Sequence, residues 1–424
     1  MSTIEKILAR EVLDSRGNPT VEAEVFAAGG AWGRAIAPSG ASTGAAEAHE
    51  LRDGDAERYD GRGVARAVEH VRRTIGPALL GFDAVDQRAV DARLLELDGT
   101  PRKKRLGGNA LLAVSLATAH AAAASKKVPL YRHLADLARQ VDPSAPEPRV
   151  PVPMINMISG GLHAGGNLDF QDFLIMPVGA ANFATGLEWS VRIYRCLGRL
   201  LAEAGFEGRL VGDEGGFGPR LPSNEQAAEF VVRAIEAAGL RPGDDVTLAI
   251  DVASTHFYDG QHYRLAATGD VRLNAEQMIE QLAALAARFP ITSIEDGLAE
   301  DDWAGWQQLT ARLGGTIQLV GDDLFATNPE RLRRGIACGA ANSVLVKVNQ
   351  IGTLSETLAT VALARQAGYG FVVSARSGET EDTTIADLAV ATAADRIKIG
   401  SVVRSERLAK YNQLLRIAEE LEPS

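Results

Sequence analysis

The chain has 424 residues, of which 46% are hydrophobic and 23% are charged, so it can bury large cores in one to three domains. Its net charge of −11 excludes nucleic-acid binding through a generally basic surface, but not a locally positive pocket for an anionic substrate. Two cysteines cannot form a disulfide framework and suit a reducing compartment. The N-terminal stretch does not resemble a secretory signal, and no apolar run reaches the roughly 18 residues that span a membrane. We therefore expect a cytoplasmic protein.

The first third of the chain predicts a mixed α+β unit. Residues 21–26 (VEAEVF) alternate apolar and acidic side chains as a strand does, and residues 31–37 indicate a second strand. A loop rich in Gly, Ser and Thr follows at residues 37–50. From residue 64 the pattern turns helical, and residues 110–125 are so rich in Ala and Leu that they indicate a buried helix.

The proline-rich run at residues 141–153 indicates a domain boundary, so we assign residues 1–140 to a first domain and 141–424 to a second. In the second domain, short apolar runs repeatedly end at charged side chains. These are Asp251, Glu295, Asp322, Lys347, Arg376 and Lys398. Their spacing of roughly 20–45 residues is that of a strand–helix unit. The repeat favours a β/α barrel, whose functional groups gather at the strand C-termini, with an open doubly wound sheet as the alternative.

Three of these residues, Asp251, Glu295 and Asp322, are acids at equivalent positions of successive units. Any one of them alone fits a solvated strand end or a helix cap. Three carboxylates brought together repel one another and raise each other's pKa unless a cation lies between them. Oxygen ligands suit a hard divalent ion, and Mg²⁺ is the usual ion beside phosphorylated substrates. The pattern therefore favours a metal site.

Other candidates are titratable residues in apolar or glycine-rich surroundings. Lys347 lies in the apolar run LVKVNQ, where desolvation and a nearby metal would lower its pKa towards that of a base; an ion pair with one of the acids is the alternative. Glu214 lies in GDEGGFG, where glycines let the backbone hold a carboxylate towards a cavity, although a turn tip looks similar. His163 lies in SGGLHAGG, which we predict to be a mobile lid.

The segments DSRGNPTVE, PSGASTG, GLHAGGN, VGDEGG, IEDGLAEDDW, VGDDL, KVNQIGTLSE and SARSGETEDT occur in order along the whole chain. Together they resemble the enolase (phosphopyruvate hydratase) family. The resemblance implies an N-terminal α+β domain capping a C-terminal (β/α)8 barrel of the ββαα(βα)6 variant. It also implies a small anionic phosphorylated substrate, a homodimer or octamer, and two Mg²⁺ ions, the second arriving with substrate.

The resemblance also assigns roles to single residues. Asp251, Glu295 and Asp322 match the ligands of the first metal, and Ser42 matches a ligand of the second. Lys347 matches the base that removes the proton next to the substrate carboxylate, and Glu214 the acid that protonates the departing hydroxyl. The matching substrate contacts are Arg376 and Ser377 for phosphate, Lys398 for carboxylate, and His163 for a lid residue near the phosphate.

The pocket departs from the family pattern at three positions. Ala375 stands where the family has histidine before the Arg-Ser pair, Asp172 replaces glutamate after Gln171, and Ala46 replaces a loop histidine. We count Asp172 and His163 among the catalytic residues and Gln171 and Ala375 among the substrate-binding ones. Smaller departures include Ser159 for asparagine and His256 for glutamate.

The three departures leave the predicted metal ligands, base and acid in place. They favour a specialised paralogue, and the main alternative is an enzyme like the carboxyphosphonoenolpyruvate synthases of phosphonate and phosphinate antibiotic pathways. Two further hypotheses stay open at this point. One is neutral drift in a glycolytic enolase, and the second is a catalytically impaired homologue that serves as a binding protein.

Overall fold

The computed structural model describes residues 2–40, 44 and 46–421. The chain begins with a three-stranded antiparallel sheet in the order β1-β2-β3, formed by β1 (Ile4–Leu13), β2 (Pro19–Ala27) and β3 (Trp32–Ile36). The strands predicted at residues 21–26 and 31–37 are confirmed as β2 and β3.

A series of helices follows this sheet along the chain. They are α1 (Ala65–His70), continued by a π-helix (Val71–Ile75) into α2 (Gly76–Leu79), then α3 (Gln87–Asp98), α4 (Gly108–Lys126) and α5 (Leu130–Val141). The predicted buried helix is α4, which packs against β2 and β3. A Cβ atom on Gly33 would collide with the backbone of Ala117 and Ala121, so the sheet and the helix approach this closely because residue 33 has no side chain.

The second part of the chain is a closed barrel of eight strands. In barrel order they are β4 (Val152–Ser159), β5 (Asp172–Met176), β6 (Thr247–Asp251), β9 (Ile291–Glu295), β10 (Gln318–Gly321), β11 (Ser343–Val346), β12 (Gly370–Ser374) and β13 (Arg396–Gly400). β7 (Tyr263–Leu265) and β8 (Val271–Leu273) form a separate hairpin. β5 is antiparallel to both β4 and β6, and the other neighbours are parallel. The closed sheet confirms the barrel over the open sheet.

Two helices, α6 (Phe183–Glu203) and α7 (Asn224–Ala237), follow the first two strands. Each later barrel strand is followed by helix before the next strand. These helices are α8 (Ala275–Arg288), α9 (Trp303–Leu313), α10 (Pro329–Cys338), α11 (Val348–Ile351) with α12 (Leu354–Gln366), α13 (Thr384–Ala391) and α14 (Ser405–Leu421). The order is the ββαα(βα)6 variant that the resemblance implied.

The barrel interior is filled by apolar side chains from its strands, which form a cluster separate from the main core. The members are Met154, Leu174, Met176, Ala249, Val320, Leu345 and Val372. Such filling makes the barrel a packed core, which leaves the ends of the strands for chemistry. None of the helices that the structure describes has the length and apolar character needed to cross a bilayer.

Candidate active site

The predicted site residues meet at one end of the barrel. Strand register pairs Asp172 with Asp251, and Asp251 with Glu295. Asp322 and Lys347 directly follow β10 and β11. One cavity at this end is lined by His163, Gln171, Glu214, Asp251, Asp322, Lys347, Ala375, Arg376, Ser377 and Lys398. Asp172 and Glu295 are buried and contact residues of that lining, whereas Ser42 lies outside the described residues.

Lys398 joins two of the predicted metal ligands. Its Nζ atom donates to Asp251 Oδ2 at 2.7 Å and to Glu295 Oε1 and Oε2 at 2.9 and 2.8 Å. Burial opposes the charged ammonium, but the two carboxylates outweigh it and raise the pKa of Lys398 well above its usual value. Burial and the charge of Asp251 likewise raise the pKa of Glu295. Lys398 therefore supplies one positive charge between these two acids.

Lys347 is paired with the third predicted ligand. Its Nζ atom lies 2.5 Å from Asp322 Oδ2, and Gln350 Nε2 donates to Asp322 Oδ1 at 2.9 Å. Burial acts to lower the pKa of Lys347, but the charge of Asp322 prevails and raises it. The structure thus shows the alternative of an ion pair with one of the acids, and the lowered pKa expected beside a metal ion stays a prediction.

The donor chemistry of this end of the barrel fits a hard cation. The carboxylates of Asp296, Asp322 and Asp323 offer oxygen atoms within 4.8 Å of one another. Burial and the charge of Asp322 raise the pKa of Asp323 to about 7, so these acids repel one another as they stand. Sequence analysis missed Asp296 and Asp323, although each directly follows a predicted ligand in IEDG and VGDD.

Asp172 is held by hydrogen bonds on both carboxylate oxygens. Oδ1 accepts from Asn156 Nδ2 at 2.5 Å and from Ser159 Oγ at 3.2 Å, and Oδ2 contacts His163 Nδ1 at 2.9 Å. The other ring nitrogen, His163 Nε2, lies 4.0 Å from Glu214 Oε1. Burial disfavours a charged imidazole, but the carboxylates of Asp172 and Glu214 outweigh it and raise the pKa of His163 to about 9. His163 is thus an imidazolium between two acids at neutral pH.

The predicted anion-binding loop is anchored from two sides. Arg376 NH1 lies 3.1 Å from Glu47 Oε2 and donates to Asn349 Oδ1 at 2.8 Å. Behind the loop, the fully buried Arg407 donates to the carbonyl oxygens of Arg376 at 2.7 Å and Ser377 at 2.6 Å. The sequence alone indicated no role for Glu47, Asn349 or Arg407, although Asn349 lies in the motif KVNQIGTLSE and Glu47 comes shortly after PSGASTG.

Two family models match the chain. The model described as the enolase N-terminal domain matches residues 4–134, and the model described as the enolase C-terminal TIM barrel domain matches residues 147–424. The chain belongs to the enolase family. The predicted family and fold class are confirmed, and membership of this family makes the chain a lyase of the enolase superfamily.

The departures from the enolase pattern lie in and around the cavity. Ala375 and His256 both line it, while Asp172 is buried behind His163. Ala46 is half-buried and directly precedes Glu47, the partner of Arg376. The substitutions therefore change side chains around the predicted anion-binding residues and the predicted acid.

Proposed function

We propose that the chain is a magnesium-dependent enolase-type hydro-lyase. It eliminates water from 2-phosphoglycerate or a close analogue and gives an enolpyruvate product such as phosphoenolpyruvate. The observation that carries the proposal is that Lys347, Glu214 and Arg376 line one cavity, whose lining also includes several carboxylates. These are a base, an acid and an anion-binding group, which a β-elimination from a phosphorylated hydroxy acid requires.

Asp251, Glu295 and Asp322 are the residues that would hold the first Mg²⁺. When bound, the ion would stabilise the negative charge that develops on the substrate carboxylate as the neighbouring proton leaves. Lys347 Nζ is the atom that takes this proton, and it must be in its neutral form to do so. A cation held by Asp322 would weaken the ion pair that raises the pKa of Lys347. Lys398 contributes a second positive charge towards the substrate carboxylate.

We assign to Glu214 the protonation of the departing hydroxyl, which requires the Glu214 carboxyl group to carry a proton when substrate is bound. Asp172 is not free for that task, because Asn156, Ser159 and His163 occupy both of its oxygens. We assign to Asp172 a positioning role, in which it fixes the ring of His163 near Glu214. This arrangement resembles the carboxylate–imidazole pairs that orient a histidine in other enzymes.

Arg376 and Ser377 bind the phosphoryl or phosphonyl group. The residue before them is Ala375, whose methyl group is smaller than the histidine of the family pattern, and we take this difference to favour a larger substituent on phosphorus. This favours a specialised paralogue, and an enzyme that makes a carboxyphosphonoenolpyruvate is the hypothesis that Ala375 supports within this class. The family resemblance supports action as a homodimer.

The proposal is tested by following the ultraviolet absorbance of phosphoenolpyruvate formed from 2-phosphoglycerate with Mg²⁺, beside an ordinary enolase. A rate near that of the ordinary enzyme, lost in Lys347→Ala, supports the proposed reaction with 2-phosphoglycerate itself. A rate lower by roughly a hundredfold, still dependent on Lys347, supports the specialised paralogue. Lys104→Ala, which removes an exposed lysine outside the cavity, is the matched control.

No turnover of 2-phosphoglycerate or of a carboxyphosphono analogue, by a folded protein with Mg²⁺, would contradict the proposal. If the analogue binds no better than 2-phosphoglycerate, the specialised function is refuted while the lyase function stands.

A further inference from the structure

His256 lines the same cavity as Ala375, Arg376 and Lys347. It belongs to a 3-10 helix, Ser254–Phe257, that directly follows β6 and the predicted metal ligand Asp251. Within residues 2–40, 44 and 46–421, the imidazole of His256 has no hydrogen-bond partner, although its main-chain nitrogen bonds to Ala253. The side chain of His256 is exposed, and its ring is a polar group of the cavity lining that makes no hydrogen bond within the described residues.

The segment that carries His256 is firmly held. Ser254 Oγ donates to the carbonyl oxygen of Asp296 at 2.8 Å, and Thr255 Oγ1 accepts from the main-chain nitrogen of Glu300 at 3.0 Å. On the other side of His256, the ring of Phe257 stacks on Phe170, with the centroids 6.5 Å apart. Because residues on both sides are anchored, the position of the imidazole is set by the fold.

The charges that act on His256 come from the cavity itself. They are the carboxylates of Asp251 and Asp322 and the cationic groups of His163 and Lys347. Burial lowers the pKa of His256 below its ordinary value, and the opposing charges do not reverse this effect. A neutral imidazole offers one N–H donor and one acceptor nitrogen. A donor of that kind can bind an anionic oxygen and can distinguish ligands that carry this oxygen from ligands that lack it.

We infer that His256 is a specificity-determining residue, which donates a hydrogen bond to an additional anionic group on the phosphorus of the substrate. The inference deepens the proposed function and depends on it. Its chemical basis is the combination of a small side chain at Ala375 and an unused donor at His256 in one cavity that also holds Arg376. The substrate class is then a hydroxy acid whose phosphorus carries a carboxylate as a further substituent.

The test measures equilibrium binding by calorimetry in Mg²⁺, so it does not depend on turnover. The probes are 2-phosphoglycerate and an analogue with a carboxylate on phosphorus, and the proteins are the wild type, His256→Ala and His256→Gln. We expect His256→Ala to weaken analogue binding about tenfold or more, with less than about threefold effect on 2-phosphoglycerate. His256→Gln, which keeps an N–H donor, should recover most of the loss. His262→Ala, a histidine outside the cavity lining, is the control.

Equal weakening of both ligands, or no weakening of either, overturns the role of His256. Failure of the wild type to prefer the analogue also overturns it, because the extra group would then have no site. Dehydration of 2-phosphoglycerate by the same wild-type preparation shows separately whether the proposed lyase function stands.

Discussion

Asp172 contacts the Nδ1 atom of His163 at 2.9 Å through one carboxylate oxygen, while Asn156 and Ser159 hold the other oxygen. In the enolase pattern this position is glutamate, whose carboxylate reaches about 1.5 Å further. The shorter side chain is accommodated here by partners on both oxygens, one of which, Ser159, is itself a departure from the pattern. The two substitutions are therefore parts of one hydrogen-bonded group.

Asp172→Asn tests the positioning role. An amide can still accept a hydrogen bond from His163, but it lacks the charge that keeps the imidazole protonated, so we expect kcat to fall roughly a hundredfold with little change in KM. The pH profile of kcat should lose the contribution of His163, whose pKa is raised to about 9 by Asp172 and Glu214 against the effect of burial. Ser159→Ala should lower kcat by a smaller factor. An unchanged pH profile in Asp172→Asn would show that Asp172 does not act through His163.

Magnesium should stabilise the folded protein. An ion that binds the native state and not the unfolded chain adds about 2.7 kcal/mol at a hundred times its dissociation constant. We expect the thermal unfolding temperature to rise with Mg²⁺ concentration, and Asp251→Asn to remove most of this rise. Asp244→Asn, whose side chain is 70% exposed, is the matched control and should respond as the wild type does. The same rise in Asp251→Asn would exclude this carboxylate as a ligand.

Arg407 should be a major determinant of stability. Its guanidinium is fully buried and donates to the carbonyl oxygens of Arg376, Ser377 and Ile399. Arg407→Met leaves these acceptors unpaired, and we expect the free energy of unfolding to fall by about 3–5 kcal/mol, as measured with denaturant. Arg416→Met, on the exposed face of the same helix, should change it by less than about 0.5 kcal/mol. If the free energy of unfolding of Arg407→Met also fell by less than about 0.5 kcal/mol, water molecules would be replacing the hydrogen bonds of the guanidinium.

The stability should depend on pH through Asp387. Burial raises its pKa to about 7, although Gln413 and the main-chain nitrogen of Tyr131 donate to its carboxylate. The folded state therefore binds this proton more tightly than the unfolded chain, whose aspartate titrates near 4. The stabilising contribution is complete below pH 4 and is lost as the pH rises to 7, at up to about 1.4 kcal/mol per pH unit.

Denaturant unfolding of the wild type and Asp387→Asn at pH 5 and pH 8 checks this. The difference in unfolding free energy, wild type minus variant, should fall by about 2 kcal/mol from pH 5 to pH 8. A constant or rising difference would contradict the raised pKa.

The barrel could be predicted from sequence because six of its strands are short apolar runs with a charged residue at or near the end. The same pattern placed Asp251, Asp322 and Lys347 at the cavity. It could not show which charges pair, since Lys398 contacts Asp251 across 147 residues of sequence. The partner of Arg376, Glu47, lies 329 residues away and became visible only in three dimensions.

For a related reason, the sequence did not reveal that Arg407 supports the anion-binding loop. An arginine in a helix such as α14 is usually exposed, and its sequence neighbours give no sign that its guanidinium is buried. Whether residues 159–166 form a mobile lid stays a prediction, since the structure shows one arrangement of them, with His163 held by Asp172.

The most direct test of the proposed lyase chemistry follows the proton that Lys347 is proposed to remove. 2-Phosphoglycerate deuterated at the carbon next to its carboxylate is incubated with the protein and Mg²⁺ in ordinary water, and the replacement of this deuterium by hydrogen in the recovered substrate is measured by NMR. We predict exchange with solvent in the wild type and none in Lys347→Ala, even if the substituted pocket slows elimination. Absence of exchange in the folded wild type, or undiminished exchange in Lys347→Ala, would contradict the assignment of Lys347 as the base.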